Sequence, residues 1–124
     1  RAAEIFAALT DGNYHQVLFD RTFSLSAAAS GDPIPHSIGL LSQGASDQLY
    51  LSTRLAICQL VLPSDDPAPL ILDDALANFD DARMAAALDW LVQAAQTQQI
   101  LLFTCHTREA EYLADRDGVS ICSL

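Results

Sequence analysis

Apolar residues recur along the chain with two different periods. Ala2 to Leu9 is rich in helix formers and stops at Thr10-Asp11-Gly12-Asn13, which predicts a helix followed by a tight turn. Tyr14 to Phe19 and Thr22 to Ala28 carry β-branched and aromatic residues on either side of Asp20-Arg21, and read as a hairpin. Ser30 to Ser37, with Gly31, Pro33 and Pro35, reads as a loop. From Ser46 to Leu62 the residues Leu51, Leu55, Cys58 and Leu62 share one helical face, after the short polar run Ser42 to Ser46. Pro63 to Pro69 breaks that helix.

The second half alternates short apolar runs with helical periodicity. Leu70-Ile71-Leu72 ends in Asp73-Asp74, as expected of a strand buried on both faces with carboxylates at its carboxyl edge. Asp81 to Gln96 predicts a helix, with Met84, Leu88, Leu91 and Ala95 on one face, Trp90 off that stripe, and Asp80 or Asp81 as its cap. Ile100 to Thr104 reads as another buried strand, ending at Cys105-His106. Arg108 to Ala114 follows as a short helix and Gly118 to Leu124 as a last strand. This order implies an α/β fold, a mostly parallel sheet with flanking helices and an amino-terminal β-hairpin. In such sheets chemistry gathers at the carboxyl ends of the strands.

At 124 residues and 51% hydrophobic, the chain suffices for one domain or one lobe of a larger one. It opens at Arg1, with no apolar signal region and no apolar run of bilayer length. We read it as a soluble, cytoplasmic piece of a longer chain, without a membrane partner. Sixteen acidic residues face six basic ones, all arginine, for a formal charge of -10. That charge repels a phosphate backbone, so any contact with DNA falls to parts outside this chain. Cys58, Cys105 and Cys122 lack ligand spacing and read as buried reduced thiols rather than a zinc site or disulfides.

Three places combine groups with chemical use. Asp73-Asp74 after an apolar strand offers hard oxygen ligands for a cation such as Mg and a base for a water, or else caps a turn. Leu41-Ser42-Gln43-Gly44-Ala45-Ser46 before a helix offers N–H groups, a hydroxyl and a close approach to an anion, or is an ordinary capped loop. Gly44-Ala45-Ser46-Asp47-Gln48 lacks the closing glycine of a serine-hydrolase elbow. His106 at a strand end can donate to a phosphate oxygen or a water. His15 and His36 have no polar constellation around them in sequence.

Taken in order, these segments resemble the carboxy-terminal half of the ATP-binding-cassette ATPases of the structural-maintenance-of-chromosomes (SMC) and double-strand-break-repair type, a P-loop NTPase head. Leu41-Ser42-Gln43-Gly44-Ala45 is similar to the signature motif, Leu70-Ile71-Leu72-Asp73-Asp74 to Walker B, Ala77-Asn78-Phe79-Asp80 to the D-loop, and Leu102-Phe103-Thr104-Cys105-His106 to the switch-histidine loop. Gln48 to Ala56 resembles the bacterial YhaN-like branch, which sets the chain apart from transporter nucleotide-binding subunits. The resemblance spans Ala2 to Leu124 and implies one lobe, with Arg1 to Leu9 as the stub of a coiled-coil helix. It implies ATP and Mg held between two heads in a dimer. Asp73 would orient Mg, Asp74 would polarise the attacking water, and His106 would sense the γ-phosphate. Ser42, Gln43 and Gly44 would meet the nucleotide of the other head, with Asp80 lining the interface. Two positions depart from the pattern. Gln43 stands where the first signature glycine is usual. Asp74 replaces the usual glutamate, a side chain shorter by about 1.5 Å. A degenerate, non-catalytic head serving dimerisation is the alternative these departures leave open. The phosphate-binding motif GxxxxGK[ST] needs a lysine, and the chain has none; that amino-terminal lobe has to come from elsewhere.

Overall fold

A computed structural model describes residues 1–21, 24–62, 65 and 67–123. The elements run α1 (Ala2–Leu9), β1 (Tyr14–Phe19), β2 (Leu25–Ala29), β3 (His36–Ser37), a 3₁₀ turn (Ile38–Leu40), α2 (Gln43–Val61), β4 (Leu70–Asp73), α3 (Asp81–Ala94), β5 (Ile100–Phe103) and α4 (Thr107–Leu113). β1, β2 and β3 form an antiparallel sheet, while β4 and β5 pair in parallel, from Leu70 opposite Ile100 to Asp73 opposite Phe103.

α1 ends where expected. Thr10 Oγ1 donates to the carbonyl of Phe6 at 2.7 Å and the Gly12 N–H to that of Ala7 at 2.8 Å. Asp11 and Gly12 both have positive φ, a turn that glycine enters without steric cost. The helix is part of the core. Ile5 and Leu9 pack with Leu51, Leu55, Leu72 and the buried stripe Met84, Ala87, Leu88, Leu91 of α3. Phe6 turns the other way, joining Leu25, Ala27 and Leu49 and stacking on Tyr14 with ring centroids 5.0 Å apart. α1 and α2 therefore form the wall shared by the hairpin sheet and the parallel pair.

Several expectations need correction. The segment read as a loop from Ser30 to Ser37 contains β3, because His36 and Ser37 pair with Ala27 and Ser26. His36 Nε2 lies 2.8 Å from Asp32 Oδ2, and this hydrogen bond, helped by the Ile34 N–H, holds the Asp32 carboxyl below its usual range. α2 starts at Gln43 rather than Ser46, since Ser42 is its cap. Its buried face is also wider than the expected stripe, taking in Ala45, Gln48, Leu49, Ser52 and Ala56. Beyond Ala56 the helix projects from the core, and Ile57, Leu60 and Val61 are exposed. β4 and β5 are not buried on both faces. Leu72 is covered, but Ile71, Leu101 and Phe103 are open, because helices cover one side only. Gly118 to Ser123 forms no strand; the Val119 N–H bonds locally to Arg116, and a strand requires a neighbour to pair with. Cys105 and Cys122 are exposed and Cys58 half-buried, contrary to three buried thiols. Thr22, Phe23, Pro63, Ser64, Asp66 and Leu124, parts of the expected strands and helix break, lie outside the described residues.

Leu49 is fully buried where α2 meets the hairpin sheet. Leu49→Ala should destabilise the chain by about 2–5 kcal/mol, through lost burial and the cavity left behind. Leu60→Ala, at a side chain 75% exposed, should change stability by about 0.5 kcal/mol or less. Urea unfolding of the two variants checks the contrast.

Candidate functional site

Parallel pairing carries the acids and the imidazole to one edge. Asp73 is the last residue of β4, and the ladder runs one step further, where the Asp74 N–H donates to the Phe103 carbonyl at 2.9 Å. There the chain turns sharply, and Asp74 adopts φ +47°. Aspartate and asparagine enter this left-handed region more readily than other non-glycine residues. The turn sends the Asp74 carboxylate towards the loop after β5. Oδ1 accepts from the Cys105 N–H at 3.1 Å and Oδ2 from the Cys105 thiol at 3.5 Å. His106 follows at once, exposed, with its backbone N–H donating to Thr104 Oγ1 at 3.0 Å. Asp74 thus braces the loop that leads into His106.

Asp73 is exposed and lines a groove of about 640 Å³ between α2 and β4, together with Asp47, Tyr50, Arg54 and Asn78. Among the described residues no group of three or more His, Cys, Asp or Glu is assembled as a cation cage. Mg keeps most of its water and is held by one or two carboxylates together with substrate phosphates, so Asp73 can supply one oxygen of such a site and the remaining ligands must come from water and nucleotide.

Leu41 to Ala45 lead into the first turn of α2. Ser42 Oγ accepts from the Ala45 N–H at 3.3 Å, so the hydroxyl is a helix cap with its own proton still to donate. Gln43 is exposed and donates from Nε2 to Asp47 Oδ1 at 3.0 Å, folding its amide along the helix. Gly44 is half-buried beneath Arg83. Asp80 caps α3, as expected, accepting from the Arg83 N–H at 2.8 Å, and its second oxygen pairs with Arg83 Nη1.

Sequence reasoning missed the residues that link these parts. Arg83 donates from Nε to Gln48 Oε1 at 3.1 Å, and Gln48 donates to the carbonyl of Leu9. Arg108 joins the His106 loop to α3, donating to the Leu76 carbonyl at 3.1 Å and to Asp81 at 3.2 Å, with its Nε 3.4 Å from buried Glu109. The available signal was a glutamine on an apolar helix face and an arginine three residues after a helix-capping aspartate.

The Asp74 carboxylate, by hydrogen bond and charge, pushes the Cys105 thiol above its ordinary range. Asp74→Asn removes the charge, so the Cys105 pKa should fall and its alkylation by iodoacetamide at pH 8 should accelerate. Cys122, also exposed, should react at an unchanged rate. Peptide-resolved alkylation kinetics over pH 7–10 measure both.

No family model matches the sequence. The uncharacterized protein YhaN of Bacillus subtilis (strain 168) is 35% identical over 106 residues, covering 85% of this chain and 11% of YhaN. This chain thus spans about a ninth of that relative's length. A structure from work on ATP-driven dimerization and DNA-stimulated activation of SMC ATPases superposes with a TM-score of 0.73 at 22% identity, covering 95% of this chain and 76% of that one. The Smc head domain of Pyrococcus furiosus with an extended coiled coil, bound to the C-terminal domain of ScpA, gives 0.66 at 18% identity, over 90% of this chain and 28% of its own. An Smc head bound to the C-winged helix domain of ScpA gives 0.69 at 18%, over 90% and 35%. The chain has the fold of the carboxy-terminal lobe of an SMC-type ATPase head, and its sequence resembles YhaN.

Proposed function

We propose that this chain is the signature, Walker B and switch-histidine half of an ATP-hydrolysing head that acts in a dimer. The observation that carries this reading is the Asp74–Cys105 contact. It supports the reading because Asp74, just past β4, accepts from the backbone that leads into His106. A carboxylate has about four acceptor sites. Asp74 therefore retains capacity to accept from a water while braced by Cys105. Asp73 would hold Mg, whose charge offsets that of the phosphates during transfer. His106 would donate to the γ-phosphate. From a second head, the first turn of α2 would bring the Ser42 hydroxyl and the N–H groups beside Gly44 to the same phosphate, with Gln43 at its edge and Asp80 at the interface. Such positioning accounts for most phosphoryl-transfer catalysis.

The uncovered sheet supports a second lobe. Ile71, Leu101 and Phe103 form an open apolar face on a two-stranded sheet, in a chain without the lysine that a phosphate-binding loop requires. In this reading residues 1–124 are one lobe, α1 continues a coiled coil, and an amino-terminal Walker A lobe completes the sheet. DNA repair or chromosome maintenance is the process we assign, with DNA contacts on other parts, given the charge of -10 here. The competing reading, a non-catalytic dimerisation module, draws on Gln43 and Asp74.

The intact polypeptide should hydrolyse ATP in a Mg-dependent manner, and Asp74→Asn should lower kcat by about 10²- to 10⁴-fold. Asparagine also tolerates the left-handed backbone, so the melting temperature should hold. Wild-type turnover indistinguishable from that of Asp74→Asn, with ATP-dependent dimers still forming, establishes the non-catalytic module instead. The 124-residue chain alone should show no turnover; Mg-dependent hydrolysis by it that Asp74→Asn abolishes would overturn the need for a second lobe.

A further inference from the structure

Arg83 occupies the space that a side chain at Gly44 would need. A Cβ there would lie 2.8 Å from Arg83 Nη1, 3.0 Å from Cζ and 3.2 Å from Cδ, so a side chain at residue 44 would require the guanidinium to shift from its present contacts. The same guanidinium pairs through Nη1 with Asp80 and donates from Nε to Gln48 Oε1 at 3.1 Å. Gln48 is 1% exposed and donates to the Leu9 carbonyl, so the chain of contacts ends in the core at the foot of α1. Two helices meet at one planar cation, and Gln48 carries the contact on to a third.

We infer that Arg83 is a positioning residue that joins the signature turn to the D-loop acid, so that Ser42, Gly44 and Asp80 are presented to the second head as one rigid unit. This rests on the ATPase reading above. An arginine suits the task because its planar fork fixes two acceptors in set directions, which a flexible ammonium does not. A plain helix staple would need only the Asp80 pair, three residues back along α3. The reach to Gln48 and the fit over Gly44 serve no such cap. Because Arg83 shapes the surface offered outwards, its loss should impair the nucleotide held by the other head and spare the one held by its own.

Complementation between two variants of the intact polypeptide separates these cases. Arg83→Lys retains the charge opposite Asp80 and so keeps the fold, yet its turnover should fall about tenfold or more. Mixed with Asp74→Asn at equal concentration, it should recover about a quarter of wild-type turnover, since half the dimers then pair one sound signature with one sound Walker B. Full activity of Arg83→Lys, or a mixture no more active than the two variants apart, overturns the inference. Melting temperatures give a second test that needs no hydrolysis. Gly44→Ala should lower the melting temperature in the wild-type background and raise it in Arg83→Ala, where the methyl has room and alanine favours the helix; equal losses in both backgrounds refute the packing. Should the wild type show no turnover at all, the ATPase reading falls, while the melting cycle still decides whether Arg83 clamps the two helices.

Discussion

Four residue pairs in parallel register, Leu70 with Ile100 through Asp73 with Phe103, bring together groups from two distant stretches of chain. Parallel strands start at the same end of the sheet, so both deliver their polar continuations to the same edge. One further backbone bond, from Asp74 to Phe103, extends the ladder past the last regular pair and sets where the β4 chain must turn. Leu72, the inward residue of β4, anchors this pair in the core beneath α1, α2 and α3. Without that anchor, Asp73, Asp74 and His106 would be three polar residues on unrelated loops.

Much of the fold was legible because it depends on local pattern. The bounds of α1 and β1 follow from helix formers, turn residues and β-branched runs, and the stripe Met84, Leu88, Leu91 identifies α3. The errors share a cause. A two-residue strand such as β3 leaves no periodic trace and exists only through pairing with β2. Gly118 to Ser123 has strand-like composition but finds no neighbour to pair with among the described residues. The continuous apolar runs of β4 and β5 imply two covered faces, whereas this chain supplies cover for one. Composition reports what a surface is suited to meet, not what this stretch of chain provides.

The positions of the candidate residues were legible in the sequence; the network that joins them was not. Ser42, Asp73, Asp74, Asp80 and His106 stand at element ends, which punctuation in the sequence marks. Arg83, Gln48 and Arg108 act across 27 to 39 positions of chain, and no window of sequence contains both partners. The arginines also show how an acidic chain uses its few cations. Arg1, Arg83, Arg108 and Arg116 each lie within 3.4 Å of a carboxylate of this chain. At exposed sites each such pair contributes about 0–1 kcal/mol, so their value lies more in fixing positions than in stability.

The left-handed backbone at Asp74 limits how this position can vary over evolutionary time. A residue that is neither glycine, asparagine nor aspartate incurs about 1–2 kcal/mol in that region. A glutamate would meet that cost here, besides having to fold a longer arm back to the Cys105 N–H. Replacing this aspartate by glutamate is therefore not a single neutral step; it requires a coordinated change in the β4 turn and the β5 loop. The β4 turn and the β5 loop therefore constrain residue 74 jointly, through one backbone angle and one hydrogen bond.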